Sequence, residues 1–103
     1  MFVYADNAAT TCVSKTALDA MMPYLTEQYG NPSSLYAFAQ NAKEALEASR
    51  KTVADIIGAQ PKEIYFTSGG SEADNQAIVS MAKVGAIKGK KHLISTKFEH
   101  HAV

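Results

Sequence analysis

The sequence predicts an α/β fold with a parallel sheet, and two observations carry that expectation. Residues 64–67 (Ile-Tyr-Phe-Thr) and residues 92–96 (His-Leu-Ile-Ser-Thr) are short β-rich runs. Between them, from about Ser71, Ala73, Ala77, Ile78, Met81 and Ala82 recur at helical spacing. Strand, helix and strand in that order form a βαβ unit, whose strands pair in parallel.

The other elements follow in chain order. Residues 1–4 are apolar and read as a short strand, and the small polar run Asp6-Asn7-Ala8-Ala9-Thr10-Thr11 reads as a loop. Ser14 caps a helix that extends to about Gln28, with Ala17, Leu18, Met21, Met22 and Leu25 on its core face. Pro23 falls inside that pattern and is expected to kink or break the helix. Gly30-Asn31-Pro32-Ser33-Ser34 is a turn, after which Ser33 or Ser34 caps a long helix. Leu35, Phe38, Ala42, Leu46, Val53 and Ile56 line one side of it, and Glu47 stands in i,i+4 register with Lys51. Gly58 ends that helix and Pro61 prevents its continuation.

Composition narrows the function classes. The 103 residues suffice for one small domain, and 47% hydrophobic with 19% charged residues suits a globular protein. Ten Lys plus Arg balance ten Asp plus Glu, which gives no electrostatic reason to expect a nucleic-acid or membrane partner. The single cysteine, Cys12, excludes an intrachain disulfide. No basic segment followed by an apolar run opens the chain, and no apolar stretch is long enough to span a membrane, so a cytoplasmic location is expected.

The segment richest in chemistry is Phe66-Thr67-Ser68-Gly69-Gly70-Ser71-Glu72-Ala73. A strand leads through two glycines into a helix start, where unpaired N–H groups and the helix dipole favour an anion. Ser68 and Ser71 add hydroxyl donors. Neither the P-loop pattern nor the dinucleotide fingerprint is present. The residues alone fit a phosphate cradle or simply a tight turn capped by Ser71, and Glu72 and Asp74 suit a helix N-terminus in either case.

Four segments in order add specificity: Asp6-Asn7-Ala8-Ala9-Thr10-Thr11, Gly30-Asn31-Pro32-Ser33-Ser34, Ser68-Gly69-Gly70-Ser71-Glu72-Ala73-Asp74-Asn75, and Glu99-His100 followed by Ala102-Val103. Together they resemble the N-terminal portion of the cysteine desulfurases of the NifS/IscS type, within class V of the aminotransferase-like enzymes. The resemblance implies fold type I of the pyridoxal-phosphate enzymes, whose large domain is a mostly parallel sheet flanked by helices. Residues 1–14 are then an N-terminal segment and residues 15–103 the truncated start of the cofactor-binding large domain.

The same resemblance implies pyridoxal 5'-phosphate as cofactor, with Gly70 and Ser71 holding its phosphate. It implies that His100 stacks on the pyridine ring and assists proton transfer. The physical sense of that role is good, because His100 follows an expected strand and ligands of parallel sheets bind at strand carboxyl ends. Without the resemblance His100 reads as a surface loop histidine, as do His101 and, at a strand end, His92.

The implied reaction takes sulfur from L-cysteine and leaves L-alanine, with sulfur held as an enzyme persulfide and passed to an acceptor or iron–sulfur scaffold protein. The family's cofactor-binding lysine, its pyridine-pairing aspartate and its sulfur-carrying cysteine lie further along the polypeptide. The isolated chain is therefore expected to be inactive without that C-terminal portion or a companion fragment. A homodimer is implied for the complete enzyme. Cys12 stands where many family members have proline and reads as a small apolar filler. Tyr36 and Ala39 replace a frequent histidine and glycine, which leaves the subgroup open. A selenocysteine lyase, another class V enzyme and a non-catalytic binding module stand as alternatives.

Overall fold

The computed structural model describes residues 1–103 and contains three α-helices, one turn of 3-10 helix and no β-strand. The chain divides into two units, Met1–Ile64 and Tyr65–Val103.

The first unit holds α1 (Lys15–Thr26), α2 (Ala37–Ile57) and the 3-10 turn Pro61–Glu63. Ser14 caps α1, its hydroxyl accepting the Ala17 N–H at 3.2 Å. Pro23 does not break α1, which continues to Thr26; the Pro23 carbonyl accepts the N–H groups of Glu27 and Gln28 at 2.9 and 2.7 Å and closes the end. The connection to α2 is ordered locally. Asn31 accepts the Ser33 N–H on its side chain and the Ser34 N–H on its carbonyl, both at 2.9 Å. The N-cap residue of α2 is Tyr36, with no side-chain cap, so neither Ser33 nor Ser34 caps the helix; both lie in the turn before it, their N–H groups donating to Asn31. Gly30 is buried here, and a Cβ on it would lie 2.8 Å from the Phe38 carbonyl oxygen. Tyr29 meets Phe38 edge to face at 5.3 Å.

Gly58 ends α2 in the left-handed conformation (φ 72°), as its position implies. Beyond it Arg50 reaches from α2 to the Ile64 carbonyl at 3.2 Å. That tether holds its guanidinium beside Glu47, so Glu47 pairs with Arg50, and Lys51 pairs instead with Asp55. An open cleft of 510 Å³, lined by Met21, Tyr24 and Leu25 of α1 and by Ala45, Ala48 and Ser49 of α2, separates the two helices.

The second unit is α3 (Gly70–Ile87) followed by residues 88–103. Lys90 N–H donates to the Gly85 carbonyl at 2.8 Å, and Gly89 (φ 73°) turns the chain back. The returning segment and α3 border a 440 Å³ apolar cleft, with Ile78 and Met81 on one wall and Leu93 and Ile94 on the other.

The expected parallel sheet is absent from this chain. Residues 1–4, 64–67 and 92–96 carry no strand pairing. The physical reason is context: β-rich runs are held by cross-strand neighbours and by burial on both faces, and a parallel pair in isolation has neither. Tyr65, Leu93 and Ile94 are 71, 66 and 91% exposed. Only Ala39 and Ala54 form buried core. No helix is long and apolar enough to cross a membrane.

Candidate functional site

The site lies in the second unit and starts from the N-terminus of α3. Gly69 is the N-cap residue, extended (φ 166°, ψ −179°), and no side chain caps the helix there. The first bond of the helix is Ala73 N–H to the Gly69 carbonyl at 3.2 Å, so the N–H groups of Gly70, Ser71 and Glu72 precede it. Ser71 is exposed in this first turn. A Cβ built on Gly69 or Gly70 would meet nothing within 4 Å, so open space faces the backbone. Free amides, an adjacent hydroxyl, the positive end of a helix and room for close approach suit an oxyanion such as a phosphate monoester.

Ser68 is not part of that donor set. Its N–H and hydroxyl both donate to one carboxylate oxygen of Glu72, at 2.6 and 2.7 Å. The backbone bond first, and the hydroxyl bond second, hold the Glu72 carboxyl below its ordinary range. The Glu72 charge is turned toward Ser68, and Ser71 is left as the hydroxyl donor. Thr67 also turns inward, its hydroxyl donating to the Gly69 carbonyl at 3.2 Å.

His100 opens a turn closed by the Val103 N–H on the His100 carbonyl at 2.9 Å. Its Nδ1 accepts the Ala102 N–H at 3.2 Å. In the neutral ring this leaves Nε2 carrying the proton and pointing the ring's donor away from the turn. His101 lies against His100 with ring centroids 4.0 Å apart. Both are exposed, as is His92.

A residue without an assigned role in the sequence joins these parts. The Asn75 amide donates to the Ser71 carbonyl and to the Ala102 carbonyl, both at 2.8 Å. Gly70 and Ser71 therefore sit in the first turn of α3, and the turn that carries His100 is fastened to that same turn of helix. The i,i+4 register of Ser71 and Asn75 was available in the sequence; the partner 27 residues away was not. Cys12 is exposed and lies in the other unit. No group of three or more His, Cys, Asp or Glu residues is placed to hold a metal ion.

Comparison with known proteins gives this site its setting. The model of the aminotransferase class-V family matches residues 3–103, and the chain belongs to that family. It is 52% identical over 101 residues to a cysteine desulfurase IscS of Methanosarcina thermophila. It is 53% identical over 102 residues to a protein of the same name from Neisseria meningitidis, and 48% identical over 101 residues to one from Clostridium botulinum. Each match covers 98% of this chain and 25% of the relative. The chain spans about a quarter of the length of the curated relatives it matches.

Proposed function

We propose that these residues form the N-terminal part of a pyridoxal-phosphate-dependent cysteine desulfurase. The observation that carries the reading is the uncapped, glycine-led N-terminus of α3 in a chain that matches proteins of that name over 98% of its length. The donor set fits the cofactor's phosphate: the Gly70 and Ser71 amides and the Ser71 hydroxyl offer neutral donors, and the helix end offers the positive potential. When bound, the cofactor supplies an electron sink for the charge left on the substrate's α-carbon.

The chain's own residues have narrower tasks. Gly70 and Ser71 bind and orient the phosphate. His100 would face the cofactor, where it would hold or move a proton at Nε2, since its Nδ1 is engaged by Ala102. In the overall reaction the carbon–sulfur bond of L-cysteine breaks and its electron pair stays on carbon. That carbon takes a proton to give L-alanine, and sulfur bonds to a protein thiolate from the remainder of the enzyme. Residues 15–103 open the large domain, and the β-rich runs 64–67 and 92–96 enter its parallel sheet when neighbouring strands are present. The complete enzyme is a cytoplasmic homodimer that hands sulfur to an acceptor protein.

The test is made on the full-length polypeptide that carries this segment. Pyridoxal phosphate is added, absorbance is scanned, and alanine is measured after L-cysteine is supplied. A shifted cofactor band with cysteine-dependent alanine supports the reading. The spectrum of free cofactor and no alanine would overturn it.

A further inference from the structure

We infer that Asn75 is a positioning residue that fixes the His100 turn on the phosphate-binding turn of α3. The inference deepens the proposed function and rests on it. One side-chain amide spans two backbone carbonyls, those of Ser71 and Ala102, at 2.8 Å each. An amide carries two N–H groups, so both bonds are made by one Nδ2 without sharing a hydrogen. The orientation of the amide is also fixed, because the opposite one would set its oxygen against two carbonyl oxygens.

The geometry couples two functions. Ser71 is the residue whose amide and hydroxyl the proposed function assigns to the phosphate. The Ala102 carbonyl held by Asn75 belongs to the residue whose own N–H engages His100 Nδ1 at 3.2 Å. Holding Ala102 therefore sets both the place of the imidazole and the nitrogen that carries its proton. In the second unit the Asn75–Ala102 bond reaches across 27 residues. Neither the sequence pattern nor the proposed phosphate contacts assigns Asn75 a task.

A purely structural role makes a different prediction from a positioning role. Alanine is a better helix former than asparagine at an exposed helical position, so Asn75→Ala leaves α3 intact or firmer. Asn75→Asp keeps the shape and reverses the polarity toward both carbonyls. Both variants are made in the full-length protein. Pyridoxal phosphate affinity is measured by titration on the apoprotein, and the tautomer of His100 is read from its imidazole ¹⁵N resonances.

The expected result is a cofactor affinity weakened about five- to tenfold in both variants. In both, the His100 resonances move from the Nε2–H form toward a tautomer mixture while thermal stability changes little. Affinity within about twofold of the unaltered protein, with unchanged His100 resonances, overturns the inference and leaves the proposed function standing. Failure of the unaltered protein to bind pyridoxal phosphate overturns the proposed function and this inference with it.

Discussion

Ser68 donates twice to a single Glu72 oxygen, once from its backbone at 2.6 Å and once from its hydroxyl at 2.7 Å. The bonds favour the charged carboxylate, so its folded pKa lies below the ordinary 4.5. The linked stability is present above the unfolded pKa and is lost as pH falls through the lower folded value. The first turn of α3 is thus expected to loosen on acidification below the ordinary carboxylate range. A ¹³C titration of the Glu72 carboxyl checks the shift, and Glu72→Gln is expected to remove the acid-dependent step in the Ser68 amide resonance.

Ser71→Ala removes the hydroxyl next to the open helix end. Loss of one hydrogen bond to a charged phosphate is expected to weaken pyridoxal phosphate binding about tenfold. The Ser71 amide remains, so binding is reduced and not abolished. Equilibrium titration of the full-length protein checks it, with Ser80→Ala, further along α3, as a control expected to change little.

Gly30→Ala puts a Cβ 2.8 Å from the Phe38 carbonyl oxygen and 2.9 Å from the Ala39 Cα. Both neighbours are backbone, so the first turn of α2 must shift. The expected cost is about 1–3 kcal/mol, comparable to overpacking a core. Denaturant unfolding of the full-length protein measures it, and Gly69→Ala, where the added Cβ meets nothing, is the matched comparison.

Arg50→Ala unfastens residue 64 from α2 and strands the Ile64 carbonyl without its guanidinium partner. The Arg50 side chain is 22% exposed, so packing is lost with the bond. A loss of about 1 kcal/mol is expected, read as faster hydrogen exchange in residues 59–64. Arg50→Lys is expected to recover little, because an ammonium cannot reproduce the fork that joins Ile64 to Glu47.

Much of the local structure was legible in the sequence. Ser14, Gly58 and the start of α3 act on neighbours within one turn, and their chemistry announces itself in order along the chain. Ser33 and Ser34 misled as caps because they belong to the turn built on Asn31, and α2 starts beyond them, with Tyr36 as its N-cap residue. The runs 64–67 and 92–96 have strand composition, yet a strand is a relation between segments and these have no neighbours to pair with. The glycine-led start of α3 was readable from Gly69, Gly70 and Ser71. The commitment of Ser68 to Glu72 and the span from Asn75 to Ala102 were not, since each depends on how side chains resolve competing partners.

The near-absence of buried side chains also has a temporal meaning. The helices here close through bonds a few residues apart, which form in microseconds or less, whereas parallel strands wait for distant partners. During that interval Ile94, Phe98 and Ile87, each more than 85% exposed, face solvent beside unpaired β-rich runs. Such a species is sticky before it is wrong. The demand this segment places on the cell is therefore one of timing: its helices are ready early, and its solubility depends on how soon its exposed apolar side chains are covered.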